Sequence, residues 1–293
     1  SLLTLSIQTT WAADAAGSLS GQARQTLEAK LIKADPLGVV YINQVFDDIT
    51  KIDVPTGWRK PTWNKGSVSI DDKNGNLLID GRIKDAEMTA LMLPQSLEAL
   101  ANYRVDMEFT IDAANNVGRW ASVMYRTSPE ASTIAFDPYH QFAIRQDATA
   151  ASGVEFALRK GGGWMVIDKK PFSEKIDKAR TYQATVIVHG NRVRQYLNGQ
   201  LVHDAVTAEG MDRGGVGMQT AGTLMRVKSI KVTEQVTALP DLDLPVAVQE
   251  TGAAVSMAPT LVQSMRTLET ASGDGSSTSL YTLDSALNLT GAG

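Results

Sequence analysis

The clearest pattern in the chain is alternation. In Tyr103–Ile111 (YRVDMEFTI), Val105, Met107, Phe109 and Ile111 fall on one side and Arg104, Asp106, Glu108 and Thr110 on the other, the period of a half-buried β-strand. The same beat runs through Thr181–Val232. Tyr182–Val188 alternates, and His189-Gly190-Asn191 breaks it. Arg192–Leu197 follows and stops at Asn198-Gly199. That dipeptide favours a type I′ hairpin, because both central residues of such a turn need positive φ. Leu201–His203 continues past the turn, and Val216–Thr220 and Leu224–Val232 follow the glycines at 214, 215 and 217.

Shorter apolar runs fill the first half: Val39–Phe46, Val68–Ile70, Leu77–Ile79, Met88–Leu93, Gly118–Arg126, Tyr139–Arg145, Val154–Arg159 and Trp164–Asp168. Turn residues separate them, including Asp71–Asn76 and Gly161-Gly162-Gly163. About a dozen short strands with frequent turns predict an antiparallel β-sandwich or barrel. Helical periodicity is absent between residues 39 and 236, which excludes an alternating α/β winding.

Outside this region the pattern changes. Leu19, Ala23, Leu27 and Leu31 share a face, so Ser18–Lys33 is expected to be a helix, ended by Asp35-Pro36. The apolar stretch SLLTLSIQTTWAADA has two readings. It resembles the end of a secretory apolar segment followed by small residues, or Leu2–Thr10 is a strand in this sheet or in that of a second copy. Pro240–Pro245 reads as a linker, Thr260–Leu268 as a short helix, Ala271–Ser279 as low complexity, and Leu280–Leu289 as strand or helix. The expected organisation is an N-terminal extension (1–38), a sandwich (39–236) and a C-terminal arm or start of a further module (237–293).

Composition adds exclusions. The 293 residues carry a net charge of −4, which gives no electrostatic reason to expect nucleic acid. There is no cysteine, hence no disulfide scaffold, thiolate metal site or cysteine nucleophile. No stretch has the roughly 20 apolar residues of a membrane-crossing helix.

Gly57-Trp58 with Gly66-Ser67-Val68, Tyr103–Phe109, Ser122–Arg126, Tyr139–Ile144, Arg192–Gly199 with Leu201-Val202, Gly214–Gln219 (GGVGMQ) and Met225–Val232 (MRVKSIKV) follow one another along the chain. Together these segments resemble the concanavalin A-like jelly-roll superfamily, most closely its 3-keto-disaccharide hydrolase type. The resemblance covers roughly residues 40 to 234. It implies an all-β sandwich, a sugar held on the concave sheet, and glycoside hydrolysis as a possible activity. The jelly-roll glucanases carry a Glu-x-Asp-x-x-Glu strand motif; here Arg104 stands at the first Glu, and Thr110 and Ile111 lie beyond, which argues against their chemistry.

Candidate chemistry is sparse. Asp106 and Glu108 share a strand face, and paired carboxylates are what glycoside hydrolysis needs; a solvated polar row is the simpler reading. Of His140, His189 and His203, the second sits in a hairpin turn and the third follows one, so both are expected in solvent, leaving His140 as the candidate base. Glu108 and His140 are therefore the candidate catalytic residues. Asp71–Asn76 resembles a calcium loop but has Arg82 where the bidentate Glu belongs; no cofactor is expected. Ring faces stack on pyranoses while planar polar groups fork to hydroxyls. Trp120, Arg126, Tyr139, Arg145 and Trp164 are the ligand candidates, and parity puts Ala121, Val123 and Tyr125 in the core with Trp120 and Arg126 facing out. Trp58, Trp63 and Trp164 are near loops and are expected at the rim of a cleft. The function expected is a secreted, periplasmic or cell-surface carbohydrate-binding protein, with or without hydrolase activity. The alternative is a structural subunit that assembles through residues 1–17 and 240–293.

Overall fold

The computed structural model describes residues 38–83, 88–129 and 136–239, and the backbone of 250–251, 254–255, 281–283 and 289–291. The expected helix Ser18–Lys33, the alternatives for Leu2–Thr10, the linker Pro240–Pro245 and the helix Thr260–Leu268 lie outside these residues. The chain divides into two units, Pro36–Val236 and a second made of Ser1–Asp35 with Thr237–Gly293. In the second unit, Glu250–Thr251 pairs with Ala254–Val255 and Tyr281–Leu283 with Leu289–Gly291, both antiparallel.

The first unit is an all-β sandwich of two antiparallel sheets. One sheet runs in the order β12 (Gln200–Val206), β11 (Arg192–Leu197), β10 (Tyr182–His189), β5 (Tyr103–Ala114), β14 (Thr223–Glu234), β3 (Leu77–Asp80) and β2 (Ser67–Ile70). β1 (Val40–Val45) also pairs with β14, so that β3 and β1 take successive halves of that long strand. The second sheet runs β4 (Met88–Met92), β13 (Gly215–Ala221), β6 (Trp120–Thr127), β7 (Tyr139–Arg145), β8 (Val154–Lys160) and β9 (Gly163–Lys170). A 3₁₀ turn at Gln95–Ala99 links β4 to β5.

Alternation in the sequence becomes layering. Val105, Met107, Phe109 and Ile111 of β5 are buried against Ala121, Val123 and Tyr125 of β6, Phe142 and Ile144 of β7, and Val216 and Met218 of β13 in one core. Trp58 belongs to that core, edge-on to Phe46 with ring centroids 5.8 Å apart; it does not rim a cleft.

Turns are set by residues that tolerate positive φ. Asn198 and Gly199 adopt φ of 50° and 76°, and the Asn198 Oδ1 accepts the backbone N–H of Gln183 at 2.9 Å. The hairpin turn is thereby tied to the neighbouring strand β10. Gly161 and Gly162 turn β8 into β9, and both donate their N–H groups to the Asp137 carboxylate, at 3.1 and 2.7 Å.

One irregularity redirects a side chain. In the β6–β13 ladder Tyr125 pairs with Val216 and Thr127 with Gly215, leaving Arg126 as an extra residue with φ of 49°. A bulge of this kind re-aims the bulged residue. Gly214 permits it: a Cβ there would lie 2.6 Å from the Arg126 carbonyl carbon.

Candidate functional site

The outer face of the second sheet carries the side chains that the core does not take. Parity assigns to it Trp120, Ser122 and Met124 of β6, Tyr139, Gln141 and Arg145 of β7, Glu155 and Arg159 of β8, and Gln219 of β13. Register then sets Tyr139, Arg159 and Trp164 abreast on three adjacent strands, and Trp120 beside Arg145. The rings converge. Trp164 meets Tyr139 at 5.7 Å between centroids and 86°, and Trp120 at 6.1 Å and 77°. Both are edge-to-face contacts, which suit the quadrupoles of aromatic rings. The Arg159 guanidinium lies 5.1 Å from the Trp164 ring centroid, a cation–π distance. Three of the five predicted ligand residues, Trp120, Tyr139 and Trp164, thus form one cluster, with Trp164 exposed above a buried Tyr139.

Beneath the rings lies a buried polar floor. The Tyr139 hydroxyl donates to Gln219 Oε1 at 3.1 Å. Gln141 Nε2 donates to Ser122 Oγ at 2.6 Å and to Gln219 Oε1 at 3.4 Å, and Ser122 donates to the Gln219 carbonyl at 3.0 Å. Burial pushes the Tyr139 hydroxyl well above its usual range, so it remains a donor. Gln219 Nε2 and Trp63 Nε1 are buried donors with no acceptor among the described residues. Trp63 packs on the same face, against Ala90, Met92, Met124, Phe136 and Tyr139, and Asn64 beside it makes paired hydrogen bonds with the Ala90 backbone at 2.7 and 2.9 Å. Sequence reasoning missed Gln141, Gln219 and Arg159. The available signal was an amide at an alternate position of two otherwise apolar strands, YHQFAIR and GVGMQTA.

The other predicted residues lie elsewhere. Arg126 does not face outward. Its guanidinium is buried between the sheets, donating to the carbonyls of Met211, Gly190 and Ala101 and to Thr207 Oγ1. Its backbone N–H donates to the Tyr103 hydroxyl at 2.8 Å. Arg145 stays at the end of the outer face, held by Glu155 at 2.8 Å and the Gly118 carbonyl at 3.1 Å.

The structure does not bring Glu108 and His140 together. Glu108 is exposed on the outer face of the first sheet, while His140 is buried on the core side of the second. His140 is stacked with Tyr125 at 5.6 Å and lies 5.1 Å from Phe156. Its Nε2 accepts the Ala208 N–H at 3.1 Å. Burial, with Arg126 nearby, lowers its pKa to about 4. Asp106, the partner of Glu108 on its strand, is engaged by Arg104 at 2.7 Å and by Thr185 at 2.7 Å. His203 is buried rather than solvated, because the register sets it opposite inward-facing Gln195; its Nδ1 is 2.9 Å from Asp168. Burial depresses its pKa despite that carboxylate.

In the loop that resembles a calcium site, Asp71 and Asn74 bind the Arg226 guanidinium, which also contacts Asp112 at 2.7 Å. Among the described residues no cluster of three His, Asp or Glu has metal-holding geometry. No helix among them is long and apolar enough to cross a membrane.

Three solved structures are similar to the chain. A solved Bacillus subtilis protein of unknown function with a galectin-like fold is similar at 11% identity and a TM-score of 0.51, over 67% of this chain and 96% of that one. A Thermotoga petrophila endo-1,3-beta-glucanase (laminarinase) catalytic domain gives 12%, 0.49, 69% and 100%. The carbohydrate binding module CBM66 from Bacillus subtilis gives 16%, 0.47, 61% and 96%. The first of these likenesses concerns the fold alone. No curated protein sequence matches the chain. A family model described as the 3-keto-alpha-glucoside-1,2-lyase-like domain matches residues 44–233, nearly the whole sandwich and well over half of the chain. The chain therefore belongs to the family of 3-keto-alpha-glucoside-1,2-lyase-like domains.

Proposed function

We propose that the outer face of the second sheet binds a carbohydrate, of the glucoside class that the family description names. One observation carries the proposal: three rings, Trp120, Tyr139 and Trp164, meet over a floor of buried amides. A pyranose presents an apolar face and a ring of hydroxyls. The exposed indole of Trp164 supplies a stacking surface, and Arg159 and Arg145 at the rim supply planar donors. The buried Gln219 holds a fixed amide beneath, and fixed polar groups select hydroxyl orientation.

The proposed function is recognition, with turnover left to be tested. A lyase or hydrolase needs a group that takes a proton and one that gives it. The carboxylates of this face among the described residues are already engaged, Glu155 by Arg145 and Asp137 by two backbone N–H groups.

The test is titration of the full chain with sucrose, maltose and their 3-keto forms, followed by calorimetry and indole fluorescence. Trp164→Ala is expected to weaken binding about tenfold or more with an unchanged circular dichroism spectrum. Wild-type affinity in Trp164→Ala, or no binding of any of these sugars, removes the proposal. Product formation that survives Trp164→Ala would place catalysis elsewhere on the molecule.

A further inference from the structure

Among the described residues the strand β9 forms an edge of the second sheet and pairs with β8 alone. It displays four consecutive apolar side chains: Trp164, Met165, Val166 and Ile167 are 41%, 55%, 46% and 40% exposed. An edge strand offers unpaired backbone donors and acceptors, and proteins commonly guard such edges with lysine or proline. Here Lys169 and Lys170 stand at one end only, and the apolar middle carries a single bulge at Ile167, which has no partner on β8, and no charge.

Faces and charges point to a particular occupant. Trp164 and Lys169 lie opposite Arg159 and Glu155, on the outer face; Met165 and Asp168 lie opposite Leu158 and Phe156, on the inner face. Residues directly across a strand pair must share a face. Ile167 is the extra residue of the bulge and stands with Val166 against Ala157, on the outer side. An antiparallel pairing of β9 with a second β9 satisfies the rule when Trp164 sits across from Lys169, Met165 from Asp168, and Val166 from Ile167. No like charges are then directly opposed. Each Lys169 ammonium lies beside an indole, a favourable arrangement, and the apolar centres cover one another.

We propose that β9 is a self-association edge, through which two copies of this chain join their second sheets into one continuous antiparallel sheet. The interface is small, so the expected dimer is weak and concentration-dependent. The proposal does not rest on sugar binding, since neither the register nor the charge pattern requires a ligand; the two share Trp164, and the variants below leave that indole in place.

Sedimentation of the full chain across a wide concentration range tests it. The wild type is expected to dimerise reversibly. Val166→Lys and Ile167→Lys, both at exposed positions that accept a charge and each set against an apolar side chain of the other copy, are expected to weaken the dimer at least about tenfold. Val206→Lys, on the exposed edge strand β12 of the other sheet, is expected to leave it unchanged. Because the chain has no cysteine, the register can be read chemically. A mixture of Val166→Cys and Ile167→Cys copies should give a disulfide-linked dimer on mild oxidation, in higher yield than either copy alone. A wild type that stays monomeric, a dimer untouched by both lysine variants, or the absence of that cross-link each overturns the proposal.

Discussion

At the scale of single residues, burial reverses what residue type suggests. Arg126 resembles a ligand contact in sequence and is a structural clamp in the fold. Its guanidinium satisfies carbonyls from three separate loops and a threonine hydroxyl. Replacing it with methionine keeps the volume and strands those carbonyls in the interior. A loss of about 2–4 kcal/mol is expected from urea unfolding, with no fall in the sugar affinity of the folded protein. A variant with unchanged stability and weakened sugar binding would return Arg126 to the ligand site.

His140 gives a second prediction at this scale. Its pKa is about 4 in the fold against an ordinary 6.5, so the unfolded chain takes up a proton that the folded one refuses. Stability is therefore flat above pH 6.5 and falls as pH drops from there toward 4. The full effect is about 3 kcal/mol. Depressed His203 acts in the same direction. The lowered carboxylates, Asp204 among them, lose their contribution only as pH falls below the ordinary carboxylate range. His140→Phe should flatten the dependence of the urea midpoint on pH between 7 and 4.5; an unaltered slope would contradict the assignment. Little of this was legible in the sequence. Parity within YHQFAIR gives His140 the same side as Phe142 and Ile144, but whether that side is core depends on which neighbours cover it. His203 shows the same dependence on pairing register.

At the scale of elements, the sequence was far more explicit. Tyr139–Arg145 and Arg192–Leu197 are strands with the bounds that alternation assigns, and the β5 core face agrees residue by residue. Alternation needs only the pleat, which is local. The bulge at Arg126 was not legible, because it depends on the close approach of Gly214 from a distant strand. The hairpin at Asn198-Gly199 is a local device whose strength can be measured. Gly199 has φ of 76° and open space around it, so Gly199→Ala meets no clash and reports backbone strain alone. It should cost about 1 kcal/mol, read from the thermal midpoint. Asn198→Ala should cost a similar amount, since it removes both a residue tolerant of positive φ and the bond to Gln183. If both substitutions were silent, the turn would not be what fixes the β11–β12 register.

For the molecule as a whole, two sheets divide the tasks. The first sheet's outer face is occupied by internal ion pairs such as Arg104 with Asp106 and Arg192 with Asp204. The second sheet's outer face carries the aromatic cluster. The aromatic half of this site was visible as residue types on consecutive strands; the amide half emerged only when register set Gln141, Ser122 and Gln219 side by side.

The pairing of the first strand with the last has a consequence for how such a module is used. Val40 lies across from Thr233, and Gly38 packs directly against Glu234, so the sandwich begins and ends at one point on its rim. A bridge of a few residues would join the two ends, and a fresh break between the exposed Lys178 and Ala179, in the loop before β10, would yield a permuted chain with every ladder intact. A unit with both ends at one place behaves as a cassette, which a longer polypeptide can carry inside a surface loop without pulling it apart.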